Sequence, residues 1–255
     1  FVTHDLPVLR TVATNIAVMY QGKVVGILDR DDATREQLGL LMAGSREDAT
    51  AGSDEAAAEY RKALELSAGY ALAYHWYSNL LGQVGRFDES IVQYRRALEI
   101  DSTFTASDVG IANNQMFLGQ NDAARQTLDA LYAKAPNDGV RRQALLWKAA
   151  SYFHEGNRGQ AIQVLEERRG IAEKTGDWLS VANDDVLIGR TLLDTGDDDK
   201  AERLFAEAVA TVEKAQTPEE IKEGLRRNHL YNEALVALAR GDLAAAREKA
   251  AAYHE

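Results

Sequence analysis

The stretch ALAYHWYSNLLGQVGRFDESIVQYRRALEIDST, Ala71 to Thr103, decides how the whole chain reads. It holds two apolar-periodic segments parted at Gly85, and five residues beyond that glycine stands a small residue, Ser90. A glycine tolerates the left-handed conformation that closes a helix, and a small side chain lets a second helix come close to the first. Tyr94 and Ala97 follow on the same helical face as Ser90. The stretch is therefore a helical hairpin with its corner at Gly85.

The same punctuation recurs at Gly119/Ala124, Gly156/Ala161, Gly196/Ala201 and Gly241/Ala246. The spacing grows from 34 residues between Gly85 and Gly119 to 45 between Gly196 and Gly241. Leu128 and Leu131, Leu165, and Phe205 and Ala208 repeat the buried face of Tyr94 and Ala97. Upstream, Ala56, Tyr60 and Ala63 place a further second helix near Asp54 to Ser67. Repetition at this period predicts an all-α array in which each hairpin buries the face of its neighbour. Thr217-Pro218-Glu219-Glu220 reads as a capping box with proline at the first helical position, starting a helix that runs to about Arg240. Trp178 is expected at a bend between the late hairpins.

These residues resemble the tetratricopeptide repeat family. Tyr74 stands for its Trp, Tyr77 and Ser78 for its Leu-Gly pair and Leu81 for its Tyr, with Gly85, Ser90, Tyr94 and Ala97 completing the match. Ser102 replaces the closing proline, which the next repeat keeps as Pro136 while carrying Asp108 in the Trp slot. The resemblance implies a right-handed α-α superhelix over 53–255, one partial hairpin followed by five full ones. It also implies a non-enzymatic scaffold for a protein or peptide segment.

In that family the first helices line a concave groove. Counting repeat positions along the chain gives His75, Asn79 and Gln83, then Val109, Asn113, Met116 and Phe117, then Leu146, Ala150, Phe153 and His154. Further on come Asn183, Val186 and Arg190, then Tyr231 and Leu235. An asparagine amide both donates to and accepts from a peptide backbone, so Asn79 and Asn113 are the expected grips on an extended segment. Met116, Phe117 and Phe153 are the expected apolar pockets. The family's carboxylate clamp needs clustered Lys, Asn and Arg, which His75 and Val109 do not supply.

The first 44 residues follow another pattern. FVTH and the runs IAVMY and KVVGIL read as strands, the latter two parted by Gln21-Gly22. A helix is expected around Leu6 to Thr14, and a second opens on the capping box Thr34 to Gln37 and stops at Gly44. This small α/β fragment, joined to the repeats by a linker over 45–52, resembles the C-terminal end of the ATP-binding subunit of a bacterial ABC importer. The residues that carry the likeness are FVTHDLPVLRTVATNIAVMYQGKVV and ATREQLGLLMAG. It implies that His4 matches the switch histidine and Asp5 the acidic residue after it. Walker A, signature and Walker B motifs are missing from this sequence, and without a phosphate cradle His4 alone neither binds nor hydrolyses ATP. The tail of a larger fused protein, a joined reading frame and a chance likeness of a hairpin all stay open. In the first case the array is a regulatory or assembly tail of such an ATPase.

Composition narrows the remaining classes. The 255 residues carry 40 Asp+Glu against 29 Lys+Arg, a net charge of −11, which argues against nucleic-acid binding, since that needs a basic footprint. No apolar run reaches the length of a membrane span, so direct membrane insertion is not expected. The absence of cysteine leaves the redox compartment open, with a cytoplasmic location the expectation. The sequence has no cysteine, and the five histidines, His4, His75, His154, His229 and His254, lack the i, i+4 pairing of a zinc face. No cofactor or metal is expected, and no nucleophile motif suggests an enzyme. Asp184-Asp185 and Asp197-Asp198-Asp199 read as acidic caps at helix starts. The Ala-rich helix Leu243 to Tyr253 leaves self-association as a further possibility.

Overall fold

The computed structural model describes residues 15–20, 23–29, 57–62, 64–65 and 68–254. The chain divides into two compact units, 1–114 and 115–255.

In the first unit, β1 (Asn15–Tyr20) and β2 (Lys23–Asp29) pair antiparallel from Asn15↔Asp29 to Tyr20↔Lys23. The register shifts after Val18↔Gly26 and resumes at Met19↔Val24, leaving Val25 as the extra residue of a bulge. The FVTH strand with His4 and Asp5, the two flanking helices and the 45–52 linker lie outside the described residues. Helix follows over 57–62, then in α1 (Ala71–Gln83), α2 (Phe87–Ile100) and α3 (Thr105–Phe117), whose residues from Gln115 on belong to the second unit. Ala57 and Leu64 pack on Tyr77 and Leu81 of α1, with the Tyr60 ring stacked 5.8 Å from Tyr77. Burying a leucine side chain of this kind contributes about 1.5–3 kcal/mol.

The second unit contains α4 (Asn121–Lys134), α5 (Asp138–His154), α6 (Arg158–Thr175), α7 (Trp178–Asp194), α8 (Asp198–Val212), α9 (Glu219–Ala239) and α10 (Leu243–His254). Its core runs through Leu145, Leu165, Ile188, Phe205 and Val236. A second cluster joins Ala182, Ala208 and Val212. The small residues Ala124, Ala161 and Ala201 are fully buried, as close helix approach requires.

Each hairpin corner has one local cause. Gly85, Gly119, Gly156, Gly196 and Gly241 all have φ between 72° and 81°, the left-handed region. The next residue's N–H then reaches back five positions, as in Arg86 to the Leu81 carbonyl at 2.8 Å and Asp197 to the Leu192 carbonyl at 3.0 Å. These bonds satisfy carbonyls that a helix end leaves open. Gly176 makes the same corner between α6 and α7, at φ 70°. In the second unit the starts of α5, α6 and α7 are sealed by side chains: Asn137 accepts from Val140 N–H, Asn157 from Gln160 N–H and Asp177 from Ser180 N–H.

Two sequence expectations are corrected. The helix α9 begins at Glu219 with Pro218 as its N-cap and no side-chain cap bond, so Thr217 does not close a capping box. Asp184 and Asp185 are not caps. They sit inside α7, fully buried, and each meets arginines from the preceding hairpin.

Candidate functional site

Helix α1 buries one side and leaves another exposed. Its inward side carries Tyr77 and Leu81 in the apolar cluster, and beside them the polar His75 and Ser78. His75 is buried, its Nδ1 lies 3.1 Å from Ser107 Oγ, and its ring meets Phe104 edge-on at 4.7 Å and Tyr94 at 5.3 Å. Burial without a carboxylate partner pulls its pKa below the ordinary imidazole value. Ser90 Oγ donates to the Ser78 carbonyl at 2.6 Å and accepts from Asn114 Nδ2 at 2.7 Å, so one buried chain of bonds ties α1, α2 and α3. Tyr94 lies against Gly110, where an added Cβ would stand 2.3 Å from the ring.

Asn79 belongs to this network in part. Its Nδ2 donates to the His75 carbonyl at 3.2 Å and its Oδ1 accepts from Tyr94 Oη at 2.8 Å. Burial pushes that Tyr94 hydroxyl up to about 12. Asn113, by contrast, is half-buried, and its amide makes no hydrogen bond to another described residue. Gln83 is exposed. The outward stripe of α1 runs through Leu72, Trp76, Asn79 and Gln83, an i, i+4, i+7, i+11 series, and Trp76 stands 52% exposed on it. Repeat counting had not selected Trp76 or Leu72. Helical spacing alone would have found them, since both fall on the stripe already marked by Asn79 and Gln83.

In the second unit Met116 is buried, so it fills interior space. Phe117 is 58% exposed and meets the exposed His154 ring edge-on at 6.3 Å. Phe153 is half-buried against the core, with the Arg158 guanidinium 5.4 Å from its centroid. Asn183 is exposed, while Leu146, Ala150, Val186 and Leu235 are half-buried. Val109, in the first unit, is half-buried as well. Arg190 Nε donates to Asn232 Oδ1 at 3.0 Å, and its guanidinium lies 5.4 Å from the Tyr231 ring centroid.

Beneath these faces the second unit carries an ionic interior. Arg142 of α5 reaches Asp184 at 2.8 Å and Asp177 at 3.4 Å, and Arg168 of α6 pairs with Asp184 and donates to the Arg142 carbonyl. Desolvation and the neighbouring Arg142 push Arg168 down to about 10. Arg169 meets Asp185 at 2.5 Å, and burial raises the Asp185 carboxyl. A cleft of about 450 Å³ opens beside Trp178, Leu179, Lys214 and Thr217, with the Lys214 ammonium 5.6 Å from the Trp178 centroid. Among the described residues no cluster of His, Asp and Glu could hold a metal ion, and no helix is long and apolar enough to cross a membrane.

A tetratricopeptide repeat family model matches residues 83–149. The repeats of a putative kinesin light chain from Podosopora anserina align with 71% of this chain and 92% of their own, at 20% identity and a TM-score of 0.54. PilW, a widely conserved type IV pilus biogenesis factor, aligns over 78% of this chain and 83% of its own, at 19% identity and the same TM-score. This is the tetratricopeptide repeat fold. No curated protein matches the sequence. None of these comparisons supports the likeness of residues 1–44 to an ATP-binding subunit. Within the tetratricopeptide pattern, Ser78 and Ser90 occupy the tight inter-helix positions, and their buried hydroxyls explain why a serine is accepted there.

Proposed function

We propose that this protein is a non-enzymatic scaffold that holds an extended protein or peptide segment against the outward stripes of its first helices. The observation that carries the reading is Trp76. A tryptophan half exposed on a helix, with Leu72 one turn away, leaves a large apolar surface in water unless a partner covers it. Gln83 and the uncommitted amide of Asn113 supply donors and acceptors in the same unit, the chemistry that main-chain recognition needs. In the other unit Phe117 and His154 offer a second aromatic anchor. Asn79 serves mainly the fold, since two of its polar contacts are already made inside.

The test is a random-peptide display selection on the folded chain, followed by affinity measurement for the enriched peptides. Trp76→Ala or Phe117→Ala should weaken binding by roughly tenfold or more, as loss of an aromatic anchor does. Val92→Ala, which removes an exposed apolar residue from the second helix α2, should leave it unchanged. Selection of no peptide at all, or of peptides sensitive only to Val92→Ala, would overturn the reading.

A further inference from the structure

The arginines of the second unit differ in what they touch. Some pair with carboxylates, as Arg226 does with Glu213 and Arg240 with Glu202. Arg125 and Arg158 touch a carboxylate and an aromatic ring together. Arg190 and Arg227 lie on tyrosines, and neither makes an ion pair among the described residues. The Arg190 guanidinium stands 5.4 Å from the Tyr231 centroid, Tyr231 lies 6.0 Å from Tyr253, and the Arg227 guanidinium stands 5.9 Å from Tyr253. Two cations thus bracket a pair of rings built from α7, α9 and α10. Tyr231 is 42% exposed and Arg227 is exposed as well. On the same helix Glu223, four residues before Arg227, makes no ion pair among the described residues, and Glu233 is taken up by Lys249 at 3.1 Å.

We infer that this ladder is the docking surface for an acidic peptide segment, whose carboxylates pair with Arg190 and Arg227 while an apolar side chain rests on Tyr231. The inference rests on the scaffold reading and names a partner class for one part of it. Charge complementarity points to that partner. In a chain of net charge −11 carboxylates are abundant, yet these two guanidinium groups lie against tyrosine rings with no ion pair among the described residues. A guanidinium over an aromatic face keeps its in-plane N–H donors directed outward, where a carboxylate can take two of them at once. Tyrosine and arginine together are also the residue types that carry most binding energy at protein interfaces. An extended chain advances 3.3–3.6 Å per residue, so the ladder spans no more than about five residues of a partner. Two carboxylates separated by up to about four positions fit it.

The probe is a fluorescein-labelled peptide of about nine residues with two glutamates about four apart flanking a leucine, paired with its glutamine counterpart, read by fluorescence polarisation. The glutamate peptide should bind and the glutamine peptide should bind at least about tenfold more weakly, the loss expected when charged partners are removed. Arg227→Ala should lower glutamate-peptide affinity by a similar factor. Arg95→Ala, which removes the same charge from α2 in the other unit, should change it by less than about twofold. Because Arg190 also bonds to the buried Asn232, it is tested as Arg190→Lys, with a melting curve to verify folding. Equal binding of the two peptides, or equal loss with Arg95→Ala and Arg227→Ala, overturns the inference. So does tighter binding of an oligonucleotide than of the peptide. If neutral selected peptides still depend on Trp76 in that event, the acidic-partner inference fails while the scaffold reading stands.

Discussion

The two units use the same hairpin and join its helices by opposite means. Among the described residues of 1–114, beside the buried Asp108, neutral groups bond across the helix interfaces: Ser78, Ser90 and Asn114 in one chain of bonds, His75 with Ser107, and Tyr94 with Asn79. In 115–255 the corresponding places are ionic: Arg142 and Arg168 on Asp184, Arg169 on Asp185, and Arg125 on Glu155. A neutral hydrogen bond contributes about 1 kcal/mol and loses little if both partners are replaced together. A buried ion pair contributes little net, but removing one partner strands a charge that the other no longer compensates. The second unit should therefore be the more brittle of the two toward single substitutions, even though it is the larger.

The largest expected effect follows at Asp184. Its side chain is fully buried, and Asp184→Ala would leave Arg168 without its anion and Arg142 with only the more distant Asp177 at 3.4 Å. A loss of about 3–5 kcal/mol is expected. Urea unfolding followed by circular dichroism would register it as a lowered midpoint for the second unit. A shift comparable to that of Ser90→Ala in the first unit would erase the distinction between the ionic and the neutral interior. Replacing Asp184, Arg142 and Arg168 together by apolar residues of similar volume should recover much of the loss, because the stranded charge is then gone.

A packing test follows, with one position in each unit. An added Cβ at Gly110 would stand 2.3 Å from the Tyr94 ring, and one at Gly189 would stand 2.6 Å from Phe205. Both side chains are buried large rings that cannot swing away without breaking the core. Gly110→Ala and Gly189→Ala should each cost about 1–3 kcal/mol, despite the usual helix-stabilising effect of alanine. Here the units should behave alike, since ring-on-glycine packing does not depend on the charge of the interface. Melting temperatures that rise with either substitution would show that the rings relocate.

A smaller loss is expected at the neutral interface itself. Asn114→Ala removes the donor to Ser90 Oγ at 2.7 Å, while Ser90 retains its own bond to the Ser78 carbonyl. One acceptor is left unpaired in the interior, so the cost should be about 1–2 kcal/mol. Asn113→Ala, one residue along and without such a bond, should cost only a few tenths of a kcal/mol, as substitutions away from buried features do. Equal losses at the two asparagines would mean that Asn113 is also held inside.

The hairpin corners were legible in the sequence because their cause is local. A left-handed glycine closes the helix and a small residue five positions later admits the second one, so Gly85 with Ser90 and Gly196 with Ala201 announce themselves without tertiary information. The ionic interior was not legible, because Asp184 finds its arginine 42 residues away. Read alone, an acidic doublet looks like a helix start, and only the three-helix packing of α5, α6 and α7 shows otherwise. The candidate site falls between these cases. Asn113 and Asn114 are adjacent and chemically identical, and the repeat position separated the open one from the bonded one. Trp76 was missed because positions were taken from the family pattern and not from the stripe itself, and the family pattern carries no expectation of an exposed ring there.

The finest distinction between the units is in their response to acid, and His75 is the group that reads it. Ser107, Phe104, Tyr94 and Trp76 surround the ring, and none of them bears a charge near neutral pH. Burial therefore disfavours the imidazolium, and the folded chain holds fewer protons at this site than the unfolded chain does. Under that condition stability rises with pH. The contribution of neutral His75 is complete above the ordinary value of 6.5 and is lost as pH falls from there toward the lowered folded value. The readout is urea unfolding at neutral pH and at about pH 5, for the native chain and for His75→Gln, which keeps a polar side chain but cannot titrate in this range. Carboxylates in the second unit also respond to acid, but they respond equally in both proteins, so the difference between the two isolates His75. The native chain should lose more stability on acidification than the variant. Parallel losses would mean that the imidazolium is accommodated at the α1–α3 interface.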